Sequence, residues 1–498
     1  GFIRLRVFVH YFGLRSEAAD AFNAAFRIPN LLQNLFGEGA LSGSFIPVYA
    51  GLLAKGDRAE ADRVASAVAA LLAAIVGALV AAGVLITPAL IRLIAPGFEA
   101  EQRDLTIAIV RILFPGAGLL VLSAWCLGVL NSHRRFLLSY AAPVVWNAAM
   151  IATLVLFGAS STPPRLAVLL AWGSVAGSLL QFAIQLPAVA RVARPRPVWD
   201  ATSTHVRSVI TNFVPVFVSR GVVQISAYVD TMIASLLPTG AVTGLFSAQL
   251  IYTLPVSLFG MSIAAAELPA MAGAAAASAR AGDAVRARLA PALRQIAFLV
   301  IPSSVAFLAF GDLIAAALLQ TGRFQPEDAR YVWGILAGSS LGLLASTTGR
   351  LYASTYYALR DPRTPLRFAV LRVALATGLG YLAAVHVPGW IGVPAAWGAA
   401  GLTASSGLVG WVEMWLLRRG LDRRIGPTGV PTSLSAKLWA AAGAAALAGW
   451  LLRGALPPVH PILAAMLVLG VYAAAYLGLA AAWRIPEVAA ARRILRPR

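Results

Sequence analysis

The chain has 498 residues, of which 59% are hydrophobic and 12% charged, against roughly 45–50% apolar and ~25% charged in soluble domains. Together with a mean hydropathy of +0.78, this excludes a soluble globular enzyme. The net charge of +20 would suit nucleic acid, but the basic residues fall in short runs between apolar segments, not on one polar face. That pattern excludes a nucleic-acid partner and points to membrane topology. The single cysteine, Cys126, lies in an apolar stretch and excludes an internal disulfide framework or a cysteine-rich metal site. The sequence opens at Gly1 with no secretory signal pattern, and the expectation is of a chain lacking its first residues.

Apolar runs of about 20 residues recur, the length that crosses ~30 Å of hydrocarbon as a helix. In chain order they predict fourteen spans: 1–28, 30–54, 62–94, 104–130, 137–158, 165–190, 207–236, 240–273, 290–318, 330–357, 367–386, 390–418, 434–454 and 460–483. The first is incomplete, and the first two, interrupted by Gly13, Pro29 and the Gly37/Gly39 pair, are unusually polar. Alternate loops sort by charge. One side holds about 26 basic residues, including Lys55, Arg58, Arg134, Arg135, Arg207, Arg286, Arg360, Arg363, Arg424 and the tail from Arg484 onward. The other holds Arg92, Arg103, Arg165, Arg323, Arg330 and Arg453. The positive-inside rule then places both chain ends in the cytoplasm, as an even span count requires.

An internal repeat aligns the second and eighth spans: Leu35-Phe36-Gly37, Pro47 and Ala50-Gly51 against Leu258-Phe259-Gly260, Pro269 and Ala272-Gly273. Two six-helix halves follow, each with an even number of spans, so the repeat is parallel, about an axis along the membrane normal, and favours a rocking transporter. The expected organisation is an all-α polytopic membrane protein with an N-lobe at 1–200, a C-lobe at 201–425, and a C-terminal helix pair with a basic cytoplasmic tail at 426–498.

A charge at the bilayer centre costs roughly 2.5–3.5 kcal/mol on insertion scales and needs a partner, water or a function. The first two spans concentrate such groups: Arg4, Arg6, Asp20, Arg27 and Glu38, with Asn23, Asn30, Gln33 and Asn34. Asp20 and Arg27, seven residues apart, share a helix face and suit a hydrated cavity for an anionic group. The alternative is interfacial placement of Arg15, Glu17 and Asp20 with Arg27 snorkelling. Arg220, Asp230, Arg350, Arg372 and Arg111 are further charges in spans, for which internal ion pairs or interfacial placement is the plainer account. Glu267 sits near the inner end of its span. With 38 arginines and two lysines, residue type alone does not argue for phosphate recognition. The histidines are scattered, no metal-ligand spacing or phosphate loop occurs, and transport would be passive, ion-coupled or driven by the membrane potential, without a cofactor.

Asp20-Ala21-Phe22, Ala25-Phe26-Arg27-Ile28-Pro29-Asn30-Leu31-Leu32, Phe36-Gly37-Glu38-Gly39-Ala40-Leu41-Ser42 and Phe45-Ile46-Pro47-Val48-Tyr49 form a specific motif. Further matches are Ala95-Pro96-Gly97-Phe98, Asn131 with Arg135-Phe136, Gln185-Leu186-Pro187, Gly322-Arg323-Phe324 and Asp361-Pro362-Arg363-Thr364-Pro365. Over essentially its whole length the chain resembles the MurJ/MviN lipid II flippases of the MOP exporter superfamily. The resemblance implies a MATE-like fold of fourteen helices in two lobes. It also implies a central cationic cavity for the pyrophosphate and sugar of lipid II, a groove with the last two helices for the polyprenyl tail, and alternating access in the bacterial inner membrane. Cell-wall synthesis enzymes are the partners it suggests.

Carried over by residue, Arg4 matches a cavity arginine of the first helix, Asp20 and Glu38 match acidic residues near the outward gate, and Arg350 matches a basic position of the tenth helix. The headgroup set is then Arg4, Arg27, Asn30, Arg220 and Arg350. Two departures stand out: Gln33 where the family has an arginine, and Leu250 with Thr253 where the eighth helix carries an arginine three before an acidic or amide residue. Either other arginines compensate, or the chain moves another polyprenyl-linked glycan, or it is a degenerate scaffold; a multidrug antiporter of the superfamily would want an acidic ion site and an aromatic pocket instead.

Overall fold

The computed structural model describes residues 1–193, 199–200, 203–277 and 280–488, without the side chains of 38–40, 42, 215–216 and 218–227. Among the described residues every regular element is helical. By internal contacts the chain divides into two compact units, Gly1–Thr243 and Gly244–Arg498.

The first unit holds α1 (Phe2–Phe12), α2 (Glu17–Phe36), α3 (Glu38–Ala54), α4 (Arg58–Ile94), α5 (Ala100–Ser132), α6 (Phe136–Phe157), α7 (Pro163–Val192) and α8 (Thr204–Ser235). Its centre is α5, which packs on α2, α3, α4, α6 and α7. Gly116 permits the approach of α7, since a Cβ there would already lie 3.3 Å from the Ser178 hydroxyl. In the lipid-facing α4 and α6 most of the apolar surface stays outside the protein, as expected of helices whose solvent is hydrocarbon. α8 packs on α2, α3 and α4, so the contact division falls at 243/244, whereas the sequence repeat begins anew near 201.

The second unit continues from α9 (Ala241–Pro255) through a π-helical turn (Val256–Met261) into α10 (Ser262–Ala277). There follow α11 (Ala281–Leu319), α12 (Pro326–Ser340), α13 (Leu343–Ala358), α14 (Arg363–Tyr381), a second π-turn (Leu382–His386), α15 (Val387–Ile391) and a 3-10 turn (Ala395–Trp397). It ends in α16 (Gly398–Ile425), α17 (Thr432–Ala455) and α18 (Pro461–Ala482). Among the described residues nine helical rods are long and apolar enough to cross a membrane. α1, α8, α16 and the interrupted pairs α2–α3 and α12–α13 add further membrane-length or paired helices, so the described helices amount to about fourteen spans.

The start of the chain differs from the expected spans 1–28 and 30–54. The first break lies at 13–16 and the second at Gly37, while α2 runs unbroken through Pro29. Gly13 turns the chain with φ 73°, and the Ser16 hydroxyl caps α2 by accepting from the Ala19 N–H, with Glu17 and Asp20 in the first turn. At Gly37 a Cβ would run into the Gln33 carbonyl oxygen, so only glycine fits that close approach. Pro29 removes one ladder bond and no more, which a helix packed on its neighbours tolerates. Arg4 and Asp20 therefore sit on separate helices.

In the second unit α17 and α18 dock on α11. Pro302 has no N–H to give the Phe298 carbonyl, and the Tyr476 hydroxyl of α18 donates to that oxygen instead at 2.7 Å. Tyr472, one turn earlier, donates to the Pro302 carbonyl at 2.7 Å and stacks edge-on against Phe310, where α11 kinks. Two-pronged pairing of Arg453 with Asp312 (3.0 and 2.6 Å) and a 2.7 Å pair between Arg294 and Glu487 close the ends. Tyr476→Phe should leave the Phe298 carbonyl without a donor and lower stability by about 1–2 kcal/mol, read as a lower Tm in detergent; an unchanged Tm would show that the bond contributes nothing.

Between α13 and α14, outside the spans, Asp361 accepts from the Thr364 hydroxyl (2.7 Å), the Thr364 and Arg363 N–H groups and Arg424 (2.7 Å). The Thr364 hydroxyl first, and then Arg424, hold its carboxyl down to about 2, from an ordinary 3.8. Because the folded value lies below the unfolded one, this stability is present above the ordinary value and lost as the pH falls through it. In wild type, Tm should drop between about pH 4 and pH 2 by more than in Asp361→Asn, which has no charge there to lose.

Candidate functional site

In the first unit, one face of α2 meets α5, α6 and α7 around a small pocket lined by Phe26, Pro29, Asn30, Gly116, Trp146, Ser174 and Ser178. Phe26 and Trp146 stack nearly parallel, 5.7 Å apart and inclined by 17°. The Trp146 indole N–H is shared between the Ser174 carbonyl and hydroxyl, both at 3.2 Å, which fixes the ring. Onto these rings α1 delivers Arg4, its guanidinium carbon 5.1 Å from the Phe26 centroid and 5.0 Å from that of Trp146, with Met150 accepting from Nη1 at 3.5 Å. No carboxylate among the described residues pairs with Arg4. The guanidinium is thus held by π faces and dispersion, and no carboxylate neutralises its charge.

Asp20 is placed differently from the wetted wall that its spacing from Arg27 suggested. It is 2% exposed and entirely engaged at the start of α9. One carboxylate oxygen accepts from the Gly240 N–H at 2.7 Å; the other accepts from the Thr243 N–H at 2.8 Å and from the Thr243 hydroxyl at 2.6 Å. Asn23, one turn on, donates to the Thr243 hydroxyl at 3.1 Å. A carboxylate from α2 therefore caps the N-terminus of α9, where orphan N–H groups and the helix dipole both favour a negative charge. Asp20 is a latch between α2 and the α8–α9 turn.

Arg27 points toward α8: Tyr228 donates to the Arg27 carbonyl at 2.6 Å, and Asp230 and Tyr228 are the electrostatic partners of its guanidinium. Asn30 lines the small pocket beside Phe26 and Trp146, and Gln33 accepts from the Gly37 N–H through its carbonyl. Glu38 and Arg220 lie on helical backbone, but their side chains are outside the described residues.

The second unit carries its own polar cluster. Arg350 on α13 is exposed, with Tyr252 of α9, Arg372 of α14 and Glu413 of α16 as its electrostatic neighbours. Arg372 pairs with Glu413 at 3.3 Å, and the hydroxyls of Tyr252 and Ser346 are 2.8 Å apart. On α9, Leu250 is half-buried and uncharged, while Thr253 is exposed and donates to the Gln249 carbonyl. The cations in this unit's cluster thus come from α13 and α14, not α9. Trp146, Ser174 and Met150 went unnoticed in the sequence, since an aromatic or sulfur in an apolar helix carries no signal until a cation is brought to it; Glu413 escaped for want of a visible partner. Among the described residues no group of three or more His, Cys, Asp or Glu could hold a metal ion.

A family model described as "Lipid II flippase MurJ" matches residues 8–473. The chain belongs to the MurJ family. It is 31% identical over 428 residues to a probable lipid II flippase MurJ of Rhizobium meliloti, covering 84% of this chain and 76% of that one. It is 29% identical over 435 residues to the lipid II flippase MurJ of Burkholderia cenocepacia, covering 85% and 81%. In structure it is similar to a lipid II flippase MurJ in an inward closed conformation, with TM-score 0.78 and 21% identity over 100% of this chain and 97% of that one. A multidrug resistance MATE transporter of the MOP superfamily in an inward-facing conformation superimposes with TM-score 0.68 over 84% and 96%, at 16% identity. The fold is that of MurJ and MATE transporters, and the chain is a multi-pass membrane protein and a transporter, not an enzyme.

As a latch, Asp20 should be sensitive to replacement of a single atom. Asp20→Asn sets an amide NH2 against the Gly240 or Thr243 N–H, and stability should fall by about 2–3 kcal/mol, measured by thermal unfolding in detergent; an unaltered Tm would show that the capping bonds are not made.

Proposed function

We propose that this chain is a lipid II flippase of the bacterial inner membrane, carrying the undecaprenyl-pyrophosphate-linked peptidoglycan precursor from the inner to the outer leaflet by alternating access. The observation that carries the reading beyond family membership is Arg4, a cation without a carboxylate, seated against Phe26 and Trp146. Such a cation offers a pyrophosphate a charge-assisted fork and offsets the hydration that the headgroup loses. The polyprenyl tail stays in hydrocarbon and needs no binding energy. The Asp20 latch suits a gate that opens when the α8–α9 turn leaves α2. Both termini in the cytoplasm, with the basic loops inside, is the orientation we assign, from the positive-inside rule.

A sister reading, transport of a different polyprenyl-linked glycan, is favoured by one observation: Leu250 and Thr253 put no charge on α9. The discriminating experiment is expression of the complete protein in cells depleted of their own lipid II flippase, with lipid II exposed at the outer leaflet as readout. Rescue is expected. Arg4→Ala should abolish it, and Trp146→Ala, which unseats the guanidinium but leaves it charged, should reduce it by roughly tenfold, the effect of about 1.4 kcal/mol. Failure of a well-inserted wild-type chain would favour the sister reading, and full activity of Arg4→Ala would overturn the cationic site.

A further inference from the structure

Among the described residues, those other than glycine with left-handed backbone are all arginines: Arg134 (φ 58°), Arg360 (φ 60°) and Arg484 (φ 52°). This region crowds the Cβ of any L-residue against the backbone, and helix ends that need it normally carry glycine. The three occupy the same position, one residue past the C-cap of α5, α13 and α18. In each the arginine N–H and the next N–H close the helix end: Arg134 to the Asn131 carbonyl (3.0 Å) and Arg135 to Leu130 (2.9 Å); Arg360 to Tyr357 (3.0 Å) and Asp361 to Tyr356 (2.9 Å); Arg484 to Ala481 (3.0 Å) and Ile485 to Ala480 (2.9 Å). The same closure after α3 uses Gly56, with φ 80°. The backbone therefore has no need of arginine.

All three belong to loops on the basic side of the chain. The basic side also has left-handed glycines at Gly56, Gly426 and Gly429, but on the opposite loops the left-handed residues, Gly13, Gly240, Gly322 and Gly392, are glycines without exception among the described residues. Helix C-termini occur on both sides, so the attraction of a helix dipole for a cation does not account for this sidedness. Nor does pairing within the protein: among the described residues none of the three guanidiniums makes an ion pair or a side-chain hydrogen bond, and nearby carboxylates are committed, Asp361 to Arg424 and Glu487 to Arg294. Each arginine lies within three residues of an exposed aromatic, Phe136, Tyr357 or Trp483, the residue class that settles at the membrane–water boundary.

We propose that Arg134, Arg360 and Arg484 anchor the protein to anionic phospholipid headgroups of the leaflet on its basic side. Each sits just past a helix end, near an interfacial aromatic, where lipid phosphates lie, and the planar fork of arginine matches a phosphate. Charge complementarity with an anionic leaflet draws cations at that depth. The inference goes beyond the flippase reading and needs only that these helices span a bilayer.

The test uses the full chain in nanodiscs of phosphatidylcholine alone or mixed with phosphatidylglycerol. The wild-type Tm should rise on going to the anionic discs. The triple variant Arg134→Gly/Arg360→Gly/Arg484→Gly, relieved of left-handed strain, should match or exceed wild type in phosphatidylcholine and lose most of that rise. The corresponding triple lysine variant, equally strained and still cationic, should keep part of it. The proposal is overturned if wild type shows no rise, if the glycine variant keeps all of it, or if that variant melts below wild type in phosphatidylcholine. Inorganic phosphate reproducing the rise in neutral discs would equally overturn it, by showing a soluble-anion site instead. None of these readings involves lipid II.

Discussion

Hydrocarbon offers no hydrogen bond, so each backbone polar group that a proline or a helix end releases must find a partner inside the protein. At Pro302 an aromatic donor answers that demand, and elsewhere too aromatic donors reach across helices to backbone carbonyls. In the first unit Trp125 donates to the Ala65 carbonyl and Tyr228 to that of Arg27. In the second, Tyr476 supplies the bond that Pro302 withholds from Phe298, Trp333 donates to Leu308, and Tyr356 to Leu417. Each is an apolar body with one donor at its tip, the side chain that packs in lipid and still satisfies a carbonyl. The latch at Asp20 is the same answer in anionic form, filling the orphan N–H groups at the start of α9.

Charge is managed under the same constraint. Arg372 with Glu413 and Arg453 with Asp312 are paired inside their unit, and Arg27 has Asp230 as its electrostatic partner. Arg4 is the contrast, since two aromatic faces stabilise it without neutralising it. A π face is complementary to the cation without neutralising it, whereas a pairing carboxylate would cancel its charge.

The repeat shows how one motif takes two local solutions. Leu35-Phe36-Gly37 ends α2 at a break, and Leu258-Phe259-Gly260 lies in a π-helical turn inside a continuous rod. Gly37 has the Gln33 carbonyl against it, while Gly260 faces α13, where a Cβ would come within 2.8 Å of Thr347. Both interrupt the regular ladder at corresponding points, but the neighbours differ, and they decide whether the helix stops or accommodates an extra residue.

The fold class, an all-helical chain with many membrane spans, was legible in the amino-acid sequence because it depends on transfer of side chains to hydrocarbon, which is local and additive along the chain. So was membership of the family, carried by Phe26-Arg27-Ile28-Pro29-Asn30 and Phe36-Gly37-Glu38-Gly39. The first helix boundaries were misplaced at Pro29 because a proline weakens a ladder by one bond, and whether that ends a helix depends on what packs beside it. Asp20 read as a wetted acid because seven-residue spacing fixes a face but not what covers it. Only the tertiary structure brought Gly240 and Thr243 to that carboxylate, and Trp146 to Arg4, from more than a hundred residues apart. Composition set which groups would be costly in the membrane; long-range packing alone decided which carboxylate or aromatic face each of them met.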